Sequence, residues 1–332
     1  MSELLVVVGS GSWGTAMALV ARAAGFRVRL WARRAEQAAA MKRDRENRAY
    51  LPGVPLPPEL EIVSEAAALD GMNRLVCAVP TQHVRETMTG LMPRIRPKTP
   101  ILSLSKGIEI GSLARPSEIL DSILDEPRVT VLSGPSHAEE VARGLPTVVV
   151  AASREEPEAR KWQESLSSPS LRLYTGDDPV GAEFGGALKN VIAIAAGIAD
   201  GLGLGDNAKA ALVTRGIVEM ARLGTKLGAR RSTFFGISGI GDLITSCTSR
   251  HGRNLRVGRE VAAGRKAEDV LKGMVAEGVW TCTAARGLGQ KHGLDLPITE
   301  EVCRILHEGK PPLEGLKSLM TRLPKSEATD LG

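Results

Sequence analysis

Leu4-Leu5-Val6-Val7-Val8-Gly9-Ser10-Gly11-Ser12-Trp13-Gly14 joins five apolar residues to three glycines spaced G-x-G-x-x-G. The apolar run does not alternate with polar residues, which predicts a strand buried on both faces, as in a parallel sheet covered by helices. From Thr15 to Gly25 apolar residues recur at helical period and a glycine closes the segment; Arg27–Trp31 is then β-type again. Strand, glycine turn, helix and strand make a βαβ unit. In that setting Gly9 permits a tight turn, Gly11 lets a pyrophosphate approach the backbone, and Gly14 lets helix and strand pack closely. The helix start offers unpaired N–H groups and a positive dipole end to the phosphates. The motif therefore reads as a dinucleotide site, against the plainer alternative of a structural turn.

The second strand ends Trp31-Ala32-Arg33-Arg34, with no acidic residue. An acid there would bond the ribose 2′-OH of NAD, whereas arginines can pair a 2′-phosphate. NADP(H) is favoured without excluding NAD(H); the alternative for Arg33 and Arg34 is a solvated loop.

Further candidate strands are Glu61–Val63, Leu75–Val79, Ile101–Leu104, Val129–Leu132, Thr147–Ala152 and Leu171–Tyr174. After Gly176-Asp177-Asp178-Pro179 strand-like runs largely vanish, and Ala/Gly/Leu segments at helical period run to Leu323. The expected fold is α/β: a Rossmann-type doubly wound sheet over 1–178, an all-α domain over 179–324 and a tail over 325–332. The sign-alternating Met41–Arg48 reads as a solvated helix face.

Composition narrows the function. Four Trp, two Tyr and four Phe are too few for a base-stacking nucleic-acid surface. The balance of 43 Lys+Arg against 38 Asp+Glu is scattered, which suits a small anionic ligand better than a polyanion. Cys77, Cys247, Cys282 and Cys303 form no CxxC or CxxH pair, so the expectation is reduced thiols, no disulfide framework and no metal. Val191–Ala199, the longest apolar stretch, falls short of the ~20 residues that span a bilayer. No signal segment is evident, and a soluble cytoplasmic protein with no membrane insertion is expected.

Lys189 sits in the apolar helix-like run Gly185–Asp200. A lysine is costly to bury, so it is either paired, used for chemistry, or snorkelling to solvent. Its helical face carries Ala182, Gly185, Gly186, Ala193, Ala196, Gly197 and Asp200, leaving room for a ligand or another backbone. Lys106, in Ser105-Lys106-Gly107, lies just past the C-terminal end of a candidate strand, the edge where open α/β sheets bind ligands. Ser133-Gly134-Pro135-Ser136-His137 follows another strand in the same way and is not a G-x-S-x-G elbow. Gly241-Asp242-Leu243 leads into Thr245–Arg256, read as a hydroxyl- and arginine-rich loop entering a helix, where guanidinium forks and N–H groups suit a terminal phosphate.

In order and approximate spacing, Gly9–Gly14, Ser105-Lys106-Gly107, Ser133–Ser136, Ala187-Leu188-Lys189-Asn190, Gly241-Asp242-Leu243, Cys247-Thr248-Ser249 and Arg253-Asn254 resemble the NAD(P)-dependent sn-glycerol-3-phosphate dehydrogenases of the soluble bacterial type. The likeness runs from residue 4 to about residue 320. It implies NAD(P)H-dependent, reversible reduction of dihydroxyacetone phosphate, feeding glycerophospholipid synthesis, with Lys189 as proton acceptor and donor and no metal. It further implies that substrate meets Lys106, Gly134, Ser136, Lys189, Asp242, Arg253 and Asn254. The cofactor would meet Ser12, Trp13, Arg33, Tyr50, Lys106, Ala138, Arg253, Val275 and Glu277, beside Gly9, Gly11, Gly14 and Arg34. Members often carry Ser where this chain has Gly252, which leaves Gly252 only a backbone contact. A homodimer is left open. Two other readings remain: a related dehydrogenase acting on a β-hydroxyacid, and a catalytically idle NAD(P)-sensing protein.

Overall fold

The computed structural model describes residues 2–324 and 326, so the expected tail 325–332 lies outside the described residues apart from Ser326. The chain divides into two compact units: the residues up to Ser105 with Pro116–Pro179, and Lys106–Arg115 with the residues from Val180 onward.

The first unit is built on β1 (Leu4–Val8), β2 (Arg27–Trp31), β3 (Glu46–Asn47), β4 (Leu51–Pro55), β5 (Glu61–Val63), β6 (Arg74–Cys77), β7 (Pro100–Ser103), β8 (Arg128–Ser133), β9 (Thr147–Ala152) and β10 (Leu171–Gly176). Its helices are α1 (Ser12–Ala23), α2 (Ala35–Asp44), α3 (Val84–Leu91), α4 (Pro116–Ile123), α5 (Ala138–Ala142) and α6 (Glu156–Leu166). The main sheet has the order β10-β9-β8-β7-β6-β1-β2-β5. Val6 stands opposite Arg29 of β2 on one side and Leu75 of β6 on the other. The strand order reverses at β1, so the glycine turn after Val8 lies at the topological switch point of the sheet. All five β1 residues are buried, as their unbroken apolar run requires.

Three sequence readings need correction. The sheet is not wholly parallel, because β8 and β9 pair antiparallel. The only helix joining them is the five-residue α5, about 7.5 Å long against roughly 20 Å for a six-residue strand, too short to carry the chain back across a sheet face. Met41–Arg48 is not one helix: α2 stops at Asp44, Arg45 turns left-handed at φ 48°, and Glu46–Asn47 pairs with β4. Within it Asn47 is buried, not solvated. Thr245–Thr248, read as loop, is helical.

The second unit holds α7 (Pro179–Gly201), α8 (Gly205–Lys226), α9 (Arg231–Phe234), α10 (Asp242–Thr248), α11 (Arg253–Ala262), α12 (Ala267–Val270), α13 (Gly278–Lys291), α14 (Pro297–His307) and α15 (Pro312–Met320). A π-helical turn, Ile237–Gly241, runs directly into α10. By length and hydropathy α7 could cross a bilayer, yet its whole apolar window is buried here as the central helix of a protein core. Around it pack Ile217, Phe234, Leu243, Leu255 and Cys282, with Ile108 from the Lys106–Arg115 segment. That segment is tied in further by Arg115, which donates to the Glu183 carboxylate at a buried position on α7.

Candidate active site

The small face of α7 admits another backbone. A Cβ on Gly197 would stand 2.1 Å from Leu255 O, and one on Gly258 would stand 2.1 Å from Ile194 O, so α7 and α11 touch main chain to main chain. This close crossing sets α11 beside the turn of α7 that carries Lys189 and Asn190. Asn254 Nδ2 donates to Asn190 Oδ1 at 2.8 Å, and Asn190 Nδ2 donates to Lys106 O and Gly186 O, each at 3.1 Å. The chain of amides continues to α13, whose first residue, Gly278, donates its N–H to Asn254 Oδ1 at 3.0 Å.

That network brings two lysines onto one carboxylate. Lys189 Nζ lies 3.0 Å from Asp242 Oδ1, and Lys106 Nζ lies 2.8 Å from Asp242 Oδ2. Lys189 also donates to Ser246 Oγ at 2.6 Å, one helical turn beyond Asp242 on α10. The side chains of Lys189 and Asp242 are only 10% and 3% exposed. The snorkelling alternative for Lys189 is therefore excluded: its ammonium is buried and paired. Burial alone would raise the Asp242 carboxyl, but the two ammonium groups hold it below its ordinary range. Burial, helped by the Lys189 charge, brings the Lys106 amine down to about 8 against the pull of Asp242. A group poised there can hold or yield a proton near neutrality. Burial pushes the neighbouring Cys247 thiol up to about 12, so it offers no thiolate.

Gly252 is the N-cap of α11 and makes no side-chain cap bond, leaving the first-turn N–H groups at Arg253, Asn254 and Leu255 without helical partners. Arg253 is exposed at this helix start. A Cβ at Gly252 would meet Ser246 O at 3.1 Å and Leu255 Cβ and Ser249 O at 3.2 Å, so a serine here needs its neighbours to give way. Val275 is exposed and Glu277 half-buried just before α13.

In the first unit the glycine turn has the shape a pyrophosphate requires. Gly9 has φ 109°, and a Cβ on Gly14 would stand 1.9 Å from Gly9 O, whereas a Cβ on Gly11 would meet nothing within 4 Å. That open space sits at the start of α1, whose Ser12, Trp13 and Gly14 N–H groups have no helical partner. Trp13 Nε1 is buried and has no hydrogen-bond partner among the described residues. These features fit a bound dinucleotide. Arg33 and Arg34 are exposed at the end of β2, and Arg34 donates to the Tyr50 hydroxyl at 3.1 Å. Beyond β8, Ser136 Oγ donates to Gly134 O at 2.9 Å, and Ala138 opens α5.

Four residues with a part in these arrangements escaped the sequence reading. Ser246 and Asn190 stand in quoted motifs, but nothing local distinguishes them from their neighbours. Asn47 and Gln37 both donate to Ser10 O, at 2.9 and 3.1 Å, and pin the glycine turn; Asn47 donates also to Thr15 Oγ1 at 2.8 Å. Only the position of a polar residue in an otherwise solvated charged run could have hinted at Asn47.

Comparison with known proteins agrees with both halves. The family model for the NAD-dependent glycerol-3-phosphate dehydrogenase N-terminus matches residues 5–159, and that for its C-terminus matches residues 178–317. The chain belongs to this family. A glycerol-3-phosphate dehydrogenase, NAD(P)+, of Moorella thermoacetica is 48% identical over 336 residues, covering 100% of this chain and 99% of its own. That of Geobacillus thermodenitrificans is 49% identical over 335 residues, covering 99% and 98%. The crystal structure of glycerol-3-phosphate dehydrogenase from Coxiella burnetii superposes with TM-score 0.93 at 37% identity, over 97% of this chain and 99% of the other. Membership of this oxidoreductase family displaces the β-hydroxyacid and idle-sensor readings.

Proposed function

We propose that this chain catalyses the reversible reduction of dihydroxyacetone phosphate to sn-glycerol 3-phosphate with NADPH or NADH, and that Lys189 moves the proton. The observation that carries the reading is the buried Lys106–Asp242–Lys189 cluster. A bound nicotinamide supplies the hydride that adds to C2 of the ketone. Lys189, positioned by Asp242 and Ser246, polarises the ketone oxygen and donates the proton that completes the alcohol; in the oxidative direction it takes the proton back. Lys106 keeps a second positive charge beside the developing alkoxide. The phosphate is read by Arg253 and the free N–H groups that begin α11. The glycine turn of the first unit serves the cofactor, and the second unit, which includes Lys106, supplies the acid–base and phosphate-binding groups. The same reading makes the protein a soluble cytoplasmic enzyme that feeds glycerophospholipid synthesis.

The test is the oxidation of NADPH and of NADH in the presence of dihydroxyacetone phosphate. We expect turnover with both and a preference for NADPH, and Arg33→Ala should raise the KM for NADPH more than that for NADH. No turnover with dihydroxyacetone phosphate would sink the reading. Equal effects on the two cofactors would remove Arg33 from 2′-phosphate recognition.

A further inference from the structure

Cys282 on α13 and Cys303 and His307 on α14 bring their ligand atoms within 4.8 Å of one another. They share no residue with the lysine–aspartate cluster, and the reaction above makes no use of them. Cys303 and His307 are four apart on one helix, which puts both on the same face one turn from each other. Cys282 faces them from the neighbouring helix. Both cysteines are free and buried, while His307 is exposed. Cys282 Sγ lies 3.5 Å from His307 Nε2, and both groups donate to the same carbonyl, Val279 O, at 3.2 and 2.9 Å. Two thiols and an imidazole thus converge on one point: the Cys282 and His307 protons go to a carbonyl that already belongs to a helix, and Cys303 Sγ lies 3.8 Å from Thr283 Oγ1. No CxxC or CxxH spacing marks the arrangement in the sequence, because one donor comes from a second helix and the other two are a full helical turn apart.

We propose that Cys282, Cys303 and His307 form a binding site for a soft d10 divalent cation, with Zn2+ as the ion the donor set suits best. Two sulfurs and one nitrogen are a zinc donor set, with thiolate and imidazole ligands preferred over the oxygen donors that hard cations require. Binding releases the two thiol protons, and the His307 proton moves to Nδ1 so that Nε2 can bind the metal. Three protein donors leave a fourth position for water, or for Val279 O once its two donors have turned to the metal. The ion joins α13 to α14 as a structural brace, and turnover does not pass through it.

Full-length protein, reduced and stripped with a chelator, should be titrated with Co2+ and then with Zn2+ in competition. The expected result is one Co2+ per chain with an intense thiolate-to-cobalt charge-transfer band and tetrahedral visible bands, both abolished by Zn2+. Zn2+ should also raise Tm and shield two thiols from a thiol reagent. Cys303→Ser should lose the charge-transfer band. His307→Asn, at an exposed position that does not endanger folding, should weaken Zn2+ affinity about tenfold or more, since even residues outside the ligand set commonly cost that much. Its turnover without metal should equal that of the wild type. Co2+ uptake without a thiolate band, or a His307→Asn variant that binds Zn2+ as tightly as the wild type, would overturn the site. So would a reduced wild type whose thiols react equally with and without Zn2+.

Discussion

The two units make their binding features from different materials. In the first, the glycine turn is backbone: its shape comes from residues lacking a Cβ within six consecutive positions, and the groups that begin its helix without helical partners are main-chain N–H. In the second, the cluster is side chain, assembled from the Lys106 segment, α7 and α10, and its members carry opposing buried charges. A backbone site is robust to sequence change except at a few steric positions. A buried-charge site depends on every partner, because removing one leaves another uncompensated.

The contrast can be tested from its largest consequence downward. Lys189→Ala should retain cofactor binding and lose turnover by ~10²–10⁴-fold, the usual worth of a positioned proton-transfer group. Retention of a tenth of wild-type kcat would exclude the role. If Lys106→Ala is the more damaged and Lys189→Ala mainly raises the KM for dihydroxyacetone phosphate, the two lysines exchange parts.

In the backbone site the glycines should separate fold from binding. Gly14→Ala drives a Cβ to within 1.9 Å of Gly9 O and should cost on the order of 1–3 kcal/mol or more of stability. Gly11→Ala, with open space around its Cβ, should unfold within about 0.5 kcal/mol of wild type while raising the KM for both cofactors. Equal loss of stability in the two would mean that the turn is structural only.

Buried charge should also make the second unit sensitive to pH. Burial raises the Glu219 carboxyl to about 7, although it accepts N–H bonds from Ile298 and Thr299 at the start of α14 and the Thr299 hydroxyl proton. Its folded pKa lies above its unfolded value of 4.5, so its stabilising contribution is complete below pH 4.5 and is lost as pH rises through about 7. Glu219→Gln cannot titrate. The difference in unfolding free energy between wild type and variant should therefore shift by about 2–3 kcal/mol between pH 4.5 and 8, measured by denaturant titration; a constant difference would show that Glu219 is not the titrating group.

Arg253→Lys should give the smallest effect, weakening dihydroxyacetone phosphate binding by about tenfold because an ammonium cannot reproduce a guanidinium fork. Unphosphorylated dihydroxyacetone should be unaffected. Parallel losses on the two substrates would make Arg253 structural.

By itself the sequence determined the β1–turn–α1–β2 unit, the steric tasks of Gly9 and Gly14, the change to helices after Pro179 and the family. Strand burial, helical period and glycine spacing are local patterns, readable within a dozen residues. It also supplied Lys106 and Lys189 as separate points from their own surroundings, and a role for Asp242 through the resemblance. Only the tertiary structure decided that one carboxylate bridges both lysines, with Lys106 and Asp242 136 residues apart and Lys189 and Ser246 57 apart. It alone gave Lys106–Arg115 to the helical unit, turned β9 antiparallel to β8, buried Asn47 under the glycine turn and set Cys282 against Cys303 and His307. Each of these is a pairing between elements: it depends on how helices and strands pack, and no residue's own neighbours in the chain record what will face it across a core.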